Sequence, residues 1–123
     1  MGCFPEHDPN TGKNYLTHTI INEEGNIAAK YRKMHMFDVD LGESGGVNQR
    51  ESLSFVKGDR ISEPCFSPVG YLGLSISYDI RFPELYRQLI LKGAQILLIP
   101  SAFLAKTGSS HWETMLRTRA IEN

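Results

Sequence analysis

The first stretch with a clear alternation of apolar and polar positions is Tyr15 to Ile21, rich in aromatic and β-branched residues. Asn22-Glu23-Glu24-Gly25-Asn26 then offers a turn, with Gly25 suited to a positive φ. A second alternating run, from Ile27 to about Phe37, completes a predicted β-hairpin. Its period of two places Ala29, Tyr31, Lys33, His35 and Phe37 on one face and Lys30, Arg32, Met34 and Met36 on the other. Asp38 to Ser62 has no period and is crowded with Gly, Ser and Asp, which predicts a long irregular segment of functional or flexible character. Ser67-Pro68-Val69-Gly70 reads as a type I turn. Tyr71 to Ser77 predicts a strand with an apolar face (Leu72, Leu74, Ile76) and a face of small residues (Gly73, Ser75, Ser77). Pro83 to Lys92 follows as a helix, with Pro in its first turn and Gly93 beyond its end. Gln95 to Ile99 is a short buried strand, and the resulting strand-helix-strand unit predicts two parallel neighbours. A last helix is predicted to open at Ser110-His111-Trp112-Glu113, where a Ser is followed three residues later by Glu. Trp112, Leu116 and Ala120 share one face of it, with Met115 alongside.

Composition narrows the class. Apolar residues make up 41% of 123, and 13 basic residues balance 14 acidic ones to a net charge of −1, which points to an α/β domain and away from a nucleic-acid binder. Two cysteines, Cys3 and Cys65, do not make a disulfide scaffold, and no zinc or other metal spacing occurs. The longest apolar run, Ile96 to Ile99, is far too short for a membrane span. Gly2 invites a myristoylation reading, but Glu6 stands where that pattern needs Ser or Thr. No signal-peptide core follows, so a cytoplasmic location is expected.

Five features carry candidate chemistry. Lys33, in register with Tyr31, His35 and Phe37, is placed to hold a positive charge for a developing anion. On spacing alone, an edge-strand lysine that reaches water is the better reading. Ser77 ends a strand at a turn into a helix, where ligands and nucleophiles of α/β proteins gather, and the N–H of Tyr78 lies at the same bend. The ordinary alternative is a turn-initiating serine. Asp79 and Arg81 flank the bend and suit a pair clamping it. Glu51 is a lone glutamate within the irregular segment. His111 and His35 are candidates for lining a pocket.

Tyr31-Arg32-Lys33-Met34-His35-Met36-Phe37-Asp38 and Ser77-Tyr78-Asp79-Ile80-Arg81-Phe82-Pro83-Glu84 resemble the nitrilase superfamily of carbon–nitrogen hydrolases. Pro100-Ser101-Ala102-Phe103, His111-Trp112-Glu113 and the segment Arg117 to Glu122 resemble its Nit branch of amidases. The resemblance implies an α-β-β-α sandwich, of which residues 1–123 are the central part of a single domain. It implies hydrolysis of a small amide, such as deaminated glutathione, through a covalent acyl-enzyme, with no cofactor and a homodimer in the intact domain. Lys33 takes the place of the family's lysine, Glu51 that of its second glutamate, and Ser77 that of its cysteine nucleophile. The Tyr78 N–H helps hold the oxyanion, His111 and Trp112 border the substrate, and Asp79 and Arg81 support the site. Serine for cysteine, and a general-base glutamate that the resemblance puts upstream of Met1, together imply little or no activity for the chain as it stands. They also leave a mitochondrial address open. A non-catalytic derivative or fragment that keeps the fold for binding is the alternative.

Overall fold

A computed structural model describes residues 2–40 and 48–123. Three strands, β1 (Cys3–His7), β2 (Asn14–Ile21) and β3 (Ile27–Arg32), form an antiparallel sheet in that order. The predicted hairpin is β2–β3. β1 pairs with β2 from Cys3 opposite His18 to His7 opposite Asn14.

The hairpin's return strand stops at Arg32 rather than near Phe37. Lys33 still bonds on both sides, its N–H to the Leu16 carbonyl at 2.8 Å and its carbonyl to the Gly58 N–H at 2.7 Å. Beyond it, side chains replace the ladder: the Tyr31 hydroxyl accepts the Met34 N–H and the Asp79 carboxylate accepts the His35 N–H. Gly58 is required where it lies, because a Cβ there would stand 2.2 Å from the Arg32 carbonyl oxygen.

The expected irregular segment holds more structure than its composition suggested. Asp38–Val39 (β4) pairs antiparallel with Gln49–Arg50 (β5), and a 3-10 turn follows over Glu51–Leu53. The chain then runs back along β2, with the Val56 N–H bonded to the Asn14 carbonyl. Residues 41–47 of that expectation lie outside the described residues.

A second sheet contains β6 (Cys65–Ser67), β7 (Gly70–Leu74) and β8 (Ile96–Leu98), with β6–β7 antiparallel across the two-residue link Pro68–Val69. β7 and β8 are parallel, Leu72 opposite Ile96, and α1 (Pro83–Leu91) connects them as the pattern predicted. Gly93, at φ +97°, ends that helix. α1 packs on β7, and the buried Tyr86 hydroxyl bonds Ser75 Oγ at 3.0 Å, which is why this side of the strand is small. Leu74, Ile76, Ile80, Leu85, Leu89 and Tyr31 form the core between the elements. The two sheets also join through His18, whose Nδ1 donates to the Ser75 carbonyl at 3.1 Å.

α2 runs from Ala105 to Glu122, so the helix opens five residues before the predicted cap. Ser110 is interior, and its hydroxyl bonds back to the Lys106 carbonyl. The inward face holds Trp112, Met115 and Leu116, but Arg119 rather than Ala120 completes it. Arg119 is buried because its Nε satisfies the Ile80 carbonyl at 2.9 Å and its Nη1 meets Glu122. Among the described residues no helix is long and apolar enough to cross a membrane.

Candidate active site

β3 delivers Lys33 to the interior, where only 2% of its side chain is exposed. Burying an ammonium is costly unless it is paired. Glu51 supplies the pair at 2.5 Å, and the same carboxylate oxygen accepts the Phe37 N–H at 2.6 Å. Glu51 reaches this position because β4–β5 and the 3-10 turn after it hold its backbone, with its own N–H on the Phe37 carbonyl. The lysine and the glutamate that sequence placed 18 residues apart therefore form one site. Its outcome for Lys33 is the inward one, against the reading favoured by spacing.

β7 delivers Ser77. The ladder continues past the strand's last residue, with the Ser75 N–H on Leu98 and the Ser77 N–H on Pro100, but Ser77 itself turns to φ +46°. It is the one residue other than glycine with positive φ among the described residues. A left-handed serine is strained by about 1–2 kcal/mol, and such strain collects at functional bends. The 3-10 turn Ser77–Arg81 starts there and leads into α1.

Asp79, fully buried, is the joint between the two halves. Its Oδ2 accepts the Tyr31 hydroxyl at 2.8 Å and the Ile76 N–H at 2.9 Å, and its Oδ1 accepts the His35 N–H at 3.1 Å and Nδ1–H at 2.7 Å. Burial, and after it the Asp79 carboxylate, pushes the Tyr31 phenol far above its usual range. Rings continue the junction: His35 stacks on Phe82 at 3.7 Å, and Phe37 meets Tyr78 edge-on at 5.0 Å. Lys33, Glu51, Phe37, Tyr78 and Ser77 are thus linked through direct contacts and adjacent residues.

The expected Asp79–Arg81 clamp does not form. Asp79 turns inward to β3, whereas Arg81 faces the rings of Tyr78 and Phe103 and bonds His111 Nδ1 at 3.4 Å. A 3-10 turn sends residues two apart in different directions, which explains the divergence. His111 and Trp112 stand on α2 beside this cluster, with Trp112 at 4.8 Å from the Phe103 ring. Phe103, Trp112, Ser101 and Gly108 border a cleft of about 300 Å³. His35 and Phe103 are the residues whose part in the site was least visible beforehand. His35 was marked only as a pocket candidate, and Phe103 only within a motif.

Two sheets joined through the buried Asp79 carboxylate, with a buried lysine–glutamate pair and a strained serine bend on either side of that junction, define an α/β protein with a candidate active site. The family model for carbon-nitrogen hydrolases matches residues 1–123, and the chain belongs to that family. It is similar to the deaminated glutathione amidase of Dictyostelium discoideum, 56% identical over all of this chain and 42% of that protein. It is also similar to the solved NitFhit protein of Caenorhabditis elegans, at 44% identity and a TM-score of 0.90, covering 99% of this chain and 29% of the other. A Nesterenkonia amidase of the nitrilase superfamily, solved with acrylamide added at its active-site cysteine, matches at 26% identity and a TM-score of 0.78, over 98% of this chain and 43% of that one. The chain spans about two fifths of the length of the curated amidases it matches.

Proposed function

We propose that residues 1–123 are the central part of an amidase domain that hydrolyses small amides such as deaminated glutathione through a covalent acyl-enzyme. With Ser77 at the nucleophile position, the chain turns over slowly or not at all. The observation that carries this is the buried Lys33–Glu51 pair linked to the Ser77 bend. The names of the relatives support the substrate class, and the acrylamide adduct on a glutamate-to-glutamine mutant of the bacterial amidase supports a nucleophilic cysteine in a protein of this fold.

In this reading Ser77 Oγ attacks the amide carbon, a C–O bond forms, and the carbonyl electrons move onto oxygen. The Lys33 ammonium, held in place by Glu51, and the Tyr78 N–H offset that negative charge. The C–N bond then breaks, and the amine leaves with the proton from the hydroxyl. Water cleaves the ester, releasing the acid and returning a proton to Oγ. Arg81 has no carboxylate partner among the described residues, which suits an anionic end of the substrate. His111 bonds Arg81, and Trp112 lines the cleft beside Phe103, whose ring Arg81 also faces.

A hydroxyl is scarcely ionised near neutrality, whereas a thiol is partly so. That difference also favours a second reading, a binding protein that keeps the fold without turnover. The test is release of product from deaminated glutathione by the full-length protein and by its Ser77→Cys form. The expected result is a gain of about a hundredfold or more for the thiol. Binding without cleavage by either form supports the second reading. Equal turnover by both refutes the assigned role of position 77.

A further inference from the structure

Among the described residues, every bond to the Asp79 carboxylate comes from a residue next to, or two away from, a candidate catalytic group. Tyr31 and His35 stand on either side of Lys33, each two residues from it, and Ile76 directly precedes Ser77. The Tyr31 hydroxyl, while donating to Asp79, also accepts the Met34 N–H at 3.2 Å. One buried carboxylate thereby ties down both flanks of the lysine and the residue before the strained serine. The Tyr31 and His35 bonds run from the end of β3 to the turn after β7, with partners 48 and 44 residues apart in the chain.

A packing role alone needs no such distribution. Four donors on one carboxylate leave it little freedom, and a displacement of any donor shifts the position that the others share. His35 is the outermost member, with a quarter of its side chain exposed and its ring stacked on Phe82. It touches neither Ile76 nor Ser77 through any bond of its own, yet it shares Oδ1 of the carboxylate whose Oδ2 holds Ile76.

We infer that the His35–Asp79–Tyr31 assembly is the positioning device that sets Lys33 against the residue-77 bend, with the His35 Nδ1–H acting on that bend through Asp79 beside the ring contacts that run by Phe82 to Tyr78. The inference rests on the amidase reading for what the bend does, but its geometry stands apart from it. It makes His35 a positioning residue rather than a catalytic one.

The experiment uses the full-length protein with His35, His35→Ala or His35→Asn, the asparagine amide being able to donate from the place of Nδ1. Amide hydrogen exchange is read at Ile76, Met34 and Leu89. In His35→Ala, exchange at Ile76 and Met34 is expected to accelerate about tenfold or more while Leu89 in α1 holds, and His35→Asn should stay within about threefold of the parent. The same replacements in a Ser77→Cys background give a second readout. Iodoacetamide labelling is followed by peptide mass spectrometry, with Cys3 and Cys65 as internal references. Labelling at position 77 should slow about tenfold relative to Cys3 in His35→Ala and recover in His35→Asn. Unchanged exchange at Ile76 in His35→Ala, or equal acceleration at Leu89, would overturn the inference. If position 77 labels no faster than Cys3 when His35 is present, the nucleophile reading fails instead, and the exchange data alone decide the coupling.

Discussion

Replacing Glu51 by Gln removes the charge opposite Lys33 and keeps an acceptor for the Phe37 N–H. The lysine is 2% exposed and its partner 17%, so water cannot stand in for the lost carboxylate on the lysine side. Breaking a buried pair from one side costs about 3–5 kcal/mol, and the retained amide oxygen argues for the lower end, about 3 kcal/mol. With a urea slope of about 1–3 kcal/mol per molar, the unfolding midpoint should fall by about 1–3 M. Lys33→Met alone leaves a glutamate that is partly in contact with water and still bonded to Phe37, so its cost should be about 1 kcal/mol. The double variant carries no stranded charge and should recover at least about 2 kcal/mol of the Glu51→Gln loss, a coupling that a double-mutant cycle reads directly. Urea titrations of the four proteins at neutral pH supply the numbers. If Glu51→Gln costs under 1 kcal/mol, or Lys33→Met fails to rescue it, the buried-pair argument is wrong.

Two further outcomes follow from other parts of the fold. Arg32, Thr17 and Lys30 hold the Glu6 carboxyl well below the usual carboxylate range, Arg32 most strongly. A folded value below the unfolded one means the unfolded chain binds more protons, so this contribution is complete above about pH 4.5 and fades as the pH falls through the folded value. Glu6→Gln should therefore lower the urea midpoint more at pH 7 than at pH 3, and an equal drop at both contradicts the linkage. Gly58→Ala brings a methyl against the Arg32 carbonyl, a backbone atom that cannot move aside, and should cost at least about 2 kcal/mol in thermal or urea unfolding. A melting temperature within a degree of the parent would show that the strand and the segment carrying Glu51 are not held together here.

How much of this was legible beforehand depended on whether local pattern or distant pairing decided the structure. The β2–β3 hairpin and the β7–α1–β8 unit were readable because aromatic and β-branched runs flank Gly25, and because Pro83 and Gly93 bracket the helix between two apolar runs. The first strand has almost no buried face, and Pro5 interrupts it, so alternation did not mark it. The start of α2 was misplaced because Ser110 and Glu113 copy a capping pattern inside a helix whose real N-cap, Leu104, makes no side-chain bond. Ala120 lost its inward place to Arg119, since a guanidinium can be buried when a carbonyl and a carboxylate receive it. At the site, the inward register of Lys33 could be read from the alternation, but its burial was decided by Glu51, which no periodicity tied to it. The partners of Asp79 were hidden for the same reason. Two acceptor atoms can choose among donors anywhere in the chain, and sequence spacing ranks none of them.

The bonds of that one carboxylate also bear on when the site comes into being as the chain folds. Closing loops of 44 and 48 residues sacrifices chain entropy before any reward arrives. The β2–β3 turn and the α1 connection close much shorter loops and need not wait. The junction around Asp79 therefore belongs among the last contacts to form and the first to open. Substitutions there should act mainly on the unfolding arm of a chevron and leave the refolding arm nearly in place.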